Sequence, residues 1–267
     1  MKSFFTIIKE QISSFYMIIR LSIYQLKSIN NNNYLGMLWE ILNPLIQMSI
    51  YWFVFGLGIR GGDDVNGIPF VYWLSAGLVV WFFFSSACIQ GSKAIYSRLN
   101  IITKMNFPMS AIPSYVVTSV FYQHITLLVT IIVIFLFSKQ GMSIHLIQIP
   151  YYMVGLISLV FSISLITSTL STIVRDVHQI FQSIIRMMLY LTPILWTPEK
   201  LPLFLQKVMT LNPLYYIVQG YRNALLGMGW FFDDIGYALY FWMVVFVLFL
   251  IGSILHVKFR RHFVDYL

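Results

Sequence analysis

Nine carboxylates, five histidines and a single cysteine in 267 residues bound the chemistry open to this chain. The histidines, His124, His145, His178, His256 and His262, are scattered, without a His-Glu-x-x-His spacing or paired cysteines to hold a metal. A metal held by carboxylates near one face would have to draw on Glu10, Glu40, Asp176 and Asp265, which stand far apart. Cys88 sits alone in an apolar stretch, so it reads as packing, and no intramolecular disulfide is possible. No Gly-rich loop ending in Lys-Ser/Thr is present, so the chain is not expected to cradle and hydrolyse ATP. Nothing resembles a nucleophile elbow. The expectation is a protein that is not itself an enzyme and holds no metal or cofactor.

Two residue classes remain. Arg186 lies within an apolar run, where an unpaired arginine costs roughly 2.5–3.5 kcal/mol at a helix centre. It could reach a phosphate near the inner leaflet, or it could snorkel to the interface or pair with Asp176 or Glu40. Aromatic residues are abundant, among them Tyr51, Trp52, Trp73, Trp81, Tyr190 and Trp196. Many fall near the ends of apolar runs, where aromatic belts are expected. The other reading is a conduit whose rings stack on the apolar faces of sugar or polyol units.

The elements that carry these residues follow from composition. Hydrophobic residues make up 59% of the chain and charged ones 10%, too few to cover a soluble globule. Apolar runs of about 20 residues, the length that crosses a bilayer, predict six spans near 35–59, 70–90, 109–137, 149–174, 180–196 and 237–257. The net charge of +8 is dispersed in clusters between the spans, which argues against nucleic acid. Before the first span, Phe4, Ile8, Ile12, Phe15, Ile19, Ile23 and Leu26 recur at helical spacing. That pattern predicts an amphipathic helix lying in the membrane interface, or one packed on the rest of the protein. The segment 197–232 holds Pro198, Pro202, Pro213 and apolar pieces too short to cross, which predicts re-entrant helices.

Charge then sets orientation. Lys2, Lys9, Arg20, Lys27, Lys93, Arg98, Lys104, Arg175, Lys258, Arg260 and Arg261 fall on one face of a six-span topology. Arg60, Lys139, Lys200, Lys207 and Arg222 fall on the other. The bias places both termini in the cytoplasm. The expected organisation is an interface helix and linker at 1–33, a transmembrane domain at 34–257 and a cytoplasmic tail at 258–267.

Four ordered features carry a family resemblance. They are Tyr34-Leu35-Gly36 with Trp39 and Asn43-Pro44; Lys104 to Pro108 with Pro113; Arg175-Asp176 followed by Thr192-Pro193-Ile194; and Asn212-Pro213-Leu214 with Arg222. Together they resemble the permease subunit of type-2 ABC exporters of O-antigen, capsule and teichoic acid. Tyr51 to Arg60, Pro69 to Leu74 and the ending from Phe259 to Leu267 look most like the wall teichoic acid permeases of Gram-positive bacteria. The resemblance implies an all-α integral membrane protein of six transmembrane helices in the cytoplasmic membrane. It implies a homodimer with two copies of a separate ATPase that holds the ATP and magnesium, and a polymer linked to polyprenyl pyrophosphate as substrate. By the same resemblance, Lys93, Arg98, Lys104, Arg175 and Asp176 would couple to the ATPase. Arg20, Lys27 and Arg186 would suit the pyrophosphate. The rival readings are a permease of the same fold for drugs or small lipids, a membrane-embedded transferase, and a structural scaffold.

Overall fold

The computed structural model describes residues 2–30, 34–98, 108–138 and 143–266. These are helical apart from turns and one isolated bridge between Val65 and Ile68. The amphipathic run forms α1 (Lys2–Ser13) and α2 (Phe15–Asn30), with helical hydrogen bonds continuing across Ser14. Of its predicted apolar stripe, Ile12, Phe15 and Ile23 are exposed, beside Phe5, Tyr16 and Tyr24, while Phe4, Ile8, Ile19 and Leu26 are half-buried. A different stripe faces the bundle: Ile7, Ser14, Ile18 and Ser22 are buried. One face of the helical unit therefore packs on the bundle while part of the other stays open. The small serines let the backbone approach its neighbour closely, as small residues do between membrane helices.

After a short 3-10 turn comes α3 (Trp39–Tyr51), which contains Pro44 and continues as a π-helical segment, Trp52–Ile59. A loop of glycines and Asn66 at positive φ leads to Pro69 and α4 (Phe70–Ser92). Proline fixes its own φ and needs no donor at a helix start. Every residue from Trp73 to Trp81 is buried, so α4 is apolar all round and lies at the centre. Around it pack α5 (Ala111–Leu136), α6 (Ile149–Ile173), α7 (Asp176–Leu191) and α9 (Pro213–Leu226). The short α8 (Leu203–Thr210) precedes α9, and α10 (Ile235–Phe259) packs along α6. Asn212 caps α9 by accepting from the Leu214 amide, and Gly227 closes it at φ 73°.

Two glycines mark the closest crossings. A Cβ at Gly91 of α4 would lie 2.2 Å from Ser164 Oγ of α6, and one at Gly220 of α9 would lie 2.0 Å from the Tyr152 ring. Neither site has room for a side chain.

Among the described residues, five stretches are long and apolar enough to cross a membrane: Gly36–Ile59, Phe70–Ser92, Ala111–Leu136, Ile144–Ile173 and Ile235–Phe263. The run at 180–196 differs from its expected form. Its helix, α7, starts at Asp176 and stops at Leu191, about 24 Å at 1.5 Å per residue, short of the ~30 Å of a bilayer core. Thr192 to Leu195 follow as buried, non-helical chain. Pro193 is the physical reason, since a proline disfavours helical backbone in the residue before it.

The tail at 258–266 is no free extension. Phe263 is fully buried with Ala94, Ile95, Ile112 and Val116 in a small core separate from the main one. Arg260 forms an ion pair with Glu10 of α1, and Ser110 also donates to Glu10. Both termini thus meet at one end of the bundle.

Candidate functional site

At the end carrying the termini, α4 runs out into a short polar segment, Lys93 to Arg98, beside the start of α7. Ser92 Oγ lies 2.7 Å from His178 Nδ1, and the Tyr96 and His178 rings stand edge to face at 6.0 Å. Burial lowers the His178 imidazole below its ordinary value, and the nearby Lys93 charge lowers it further. Burial lifts the Tyr96 phenol above its ordinary value, and nearby Arg175 pulls it back. The structure therefore brings Lys93, Arg175 and Asp176 to one surface, all three exposed. Arg98 is partly withdrawn from it. Its guanidinium donates to the Ala94 carbonyl and to Gln25 Oε1 of α2, and lies 5.5 Å from the Tyr115 ring centre. Arg98 thus ties α2 and α5 to this segment as well as bordering the surface. Lys104 lies outside the described residues.

The cations expected at a pyrophosphate do not converge within one chain. Arg20 and Lys27 are exposed on α2, which packs on α5. Arg186 is exposed on α7, which packs on α4 and α6. The aromatics divide into two groups. Tyr51 and Tyr190 are within electrostatic reach of each other, Trp196 donates to the Tyr190 carbonyl at 2.9 Å, and Trp52 is exposed nearby in sequence on the π-helical segment. Trp73 and Trp81, in contrast, are only 4% and 5% exposed in the core of α4, so within one chain neither presents a ring to an open surface.

Trp73 has a different partner, one that sequence reasoning assigned to the outer face as a plain charge. Arg222 of α9 is 1% exposed, with its guanidinium carbon 3.4 Å from the Trp73 ring centre. It donates to the carbonyls of Pro193 (3.0 Å), Ile194 (3.1 Å) and Trp73 (3.4 Å), and to Gln219 Oε1 (2.8 Å). Among the described residues no carboxylate takes part. The planar fork supplies donors where helix α7 has ended and carbonyls would otherwise be orphaned. The signal available in sequence was the pairing of Thr192-Pro193-Ile194 with a later Arg in an apolar helix.

A second buried polar pair crosses the bundle: His124 Nε2 of α5 lies 2.8 Å from the Tyr221 hydroxyl of α9. Among the described residues no three His, Cys, Asp or Glu side chains cluster as a metal site requires. Among the described residues the arrangement provides exposed charged surfaces and a fixed core crossed by buried polar pairs.

Residues 16–226 match the family described as ABC-2 type transporter. The chain is 32% identical over 206 residues to the O-antigen export system permease protein RfbA of Klebsiella pneumoniae, covering 75% of this chain and 76% of that protein. It is 26% identical to the protein of the same description from Myxococcus xanthus, over 74% and 75% of the two chains. To the inner membrane transport permease YadH of Escherichia coli K12 it is 22% identical, over 70% and 76%.

Proposed function

The chain belongs to the ABC-2 type transporter family, and from that premise we propose that it is the membrane subunit of an ATP-driven exporter of an envelope polysaccharide. The observation that carries this reading is the similarity to O-antigen export permeases along three-quarters of both chains. The narrower substrate we propose is a teichoic acid or related polymer on polyprenyl pyrophosphate, supported by the motifs at 51–60, 69–74 and 259–267.

In this reading α7 and the buried chain after it form a sixth crossing, and α8 and α9 enter from the outer side as re-entrant helices. The bias of Lys and Arg puts both termini in the cytoplasm. The domain division at 33/34 and 257/258 is kept, with the tail docked on the bundle through Phe263. A second copy of the chain completes the pathway. Support comes from the first span, whose apolar window is only 11% buried within one chain. Lipid covers part of that face and the partner copy the rest.

ATP hydrolysis takes place in a separate subunit that holds the nucleotide and magnesium. That subunit docks on Lys93, Arg98, Lys104, Arg175 and Asp176. Because the segment at 93–98 shares its small core with α5 and the tail, a push on it moves whole helices rather than one loop. Such coupling needs two discrete arrangements of the bundle, each favoured by a different state of the ATPase. Arg20, Lys27 and Arg186 meet the pyrophosphate near the inner leaflet, from different elements or from different copies. Tyr51, Trp52, Tyr190 and Trp196 line the path, while Trp73 and Trp81 stiffen its wall.

The test is co-purification in mild detergent with mass spectrometry of bound chains and lipids. An ATPase recovered at equal copy number, and stimulated by a polyprenyl-pyrophosphate glycan, is the expected result. Stimulation by hydrophobic drugs alone would favour a small-molecule exporter, and no nucleotide-binding partner at all would remove the energy source.

A further inference from the structure

The cations of the first two helices lie on one line. An α-helix turns about 100° per residue, so steps of about 7 or 11 residues return to nearly the same direction. Lys2, Lys9, Arg20 and Lys27 are separated by such steps. The Ser14 amide donates to the Glu10 carbonyl and the Ile18 amide to the Ser14 carbonyl, so the line passes unbroken from α1 to α2. The cations point within about 20° of one another along about 38 Å of helix. All four side chains are exposed.

The two flanks of this row differ. About 60–80° round one way stand Phe5, Ile12 and Ile23, exposed at 63%, 72% and 40%. Tyr16, between them and the row, is exposed too. Round the other way come Ser13, Ser28 and Glu10, whose carboxylate is taken by Arg260 and Ser110. The residues packed on the bundle, Ile7, Ser14, Ile18 and Ser22, lie on the far side of the helix from the row. Protein thus holds the back of the helix, and the cations run along the boundary between an apolar flank and a polar one.

That boundary matches the order of layers at a bilayer surface, where hydrocarbon gives way to phosphates and then to water. Lys and Arg at a negatively charged surface each favour it by about fivefold, and a tyrosine suits the headgroup level. Among the described residues no carboxylate points along the row with the cations, so its field is of one sign. A zwitterionic headgroup has no net charge to set against that field. A second copy docked through the same face would set cation against cation.

We propose that the outward face of α1 and α2 binds the headgroups of anionic phospholipids, with phosphates along Lys2, Lys9, Arg20 and Lys27 and acyl chains against Phe5, Ile12 and Ile23. The choice of lipid does not depend on what is exported. Because Arg20 and Lys27 belong to the row, a pyrophosphate that reaches them displaces a phospholipid.

The test uses the permease with its co-purified ATPase in nanodiscs of equal parts phosphatidylglycerol and phosphatidylcholine, free of polyprenyl lipid. A bimane on Ile12→Cys reads the lipid at this face, since Ile12 is exposed and Cys88 is buried. Bromine is placed on one lipid or the other, and the two degrees of quenching give their relative affinity. The expected result is a preference for phosphatidylglycerol of at least fivefold, the contribution of one cation. It should fall to parity in Lys9→Gln/Arg20→Gln and be kept in Lys9→Arg. In the labelled parent, about 1 M salt shortens the screening length from about 8 to about 3 Å and should erase most of the preference, a readout that needs no further variant. Equal quenching by the two lipids, or a preference that survives the double variant or high salt, would overturn the proposal. So would no quenching by either lipid, which would assign the face to a protein partner. If the preference is found and a lipid-linked glycan fails to stimulate the ATPase, the export reading falls and the lipid-binding face stands.

Discussion

Replacing Arg222 by Met keeps most of the volume and removes every donor. The carbonyls of Pro193 and Ile194 accept from no other group among the described hydrogen bonds. Each buried acceptor left unsatisfied costs about 1–3 kcal/mol, giving about 2–6 kcal/mol for the pair. Loss of the stacking on Trp73 would add about 2 kcal/mol. Against this, the variant no longer buries a charge, a saving of several kcal/mol per ion that offsets the stacking. The expected net loss is therefore near the carbonyl term, about 3 kcal/mol within that range. Denaturation in mixed micelles, followed by tryptophan fluorescence, measures it. Arg222→Lys should fall between Met and the parent, because an ammonium still donates but does not fill the planar fork. A Met variant within about 0.5 kcal/mol of the parent, the range of neutral surface changes, would refute the assignment of Arg222 as the donor group for the end of α7. A Lys variant as damaging as Met would show that shape outweighs donor count.

Gly220→Ala should lose about 1–3 kcal/mol by overpacking against Tyr152. Gly58→Ala, whose Cβ would meet only a backbone oxygen at 3.7 Å, should lose no more than about 1 kcal/mol by the same denaturation measurement. Tyr221→Phe strands His124 Nε2 and should cost about 1–3 kcal/mol, read as a lower unfolding midpoint with the secondary structure intact. Arg175→Glu should uncouple ATP hydrolysis from export without loss of stability, since Arg175 is exposed. Arg98→Glu should both uncouple and loosen α2, through its bond to Gln25, and parallel ATPase, export and limited-proteolysis assays separate the two. Glu10→Gln removes a partly exposed ion pair and should cost at most about 1 kcal/mol, seen chiefly as faster proteolysis of α1.

The long spans were readable because a helix in lipid must satisfy its backbone internally and present some twenty apolar residues. The expected run at 70–90 and the observed Phe70–Ser92 differ by two residues at one end. What the sequence conceals is which face of an apolar helix meets protein. The stripe Ile7, Ser14, Ile18, Ser22 is half serine and carries no hydrophobic periodicity, yet it is the buried one. Arg222 was misjudged for a related reason. The positive-inside rule counts charges along the chain and is blind to a guanidinium folded back onto carbonyls twenty-eight and twenty-nine residues earlier. The stretch at 180–196 was apolar enough to span, but Pro193 ended its helix early. The surface joining Lys93, Arg175 and Asp176 was legible only through the family resemblance, because the two segments lie about eighty residues apart and meet through Ser92 and His178.

The contact between Glu10 and Arg260 joins positions 250 residues apart. At synthesis rates of about 5–20 residues per second, the partner of α1 is made roughly ten to fifty seconds after α1 itself. During that interval the first helix has no Arg260 and no finished α10 to rest on. Its open stripe of Phe5, Ile12, Phe15 and Ile23 gives it a berth on the bilayer surface while it waits. Once α10 and Arg260 are in place, their contacts act as a light latch that settles α1 on the finished bundle.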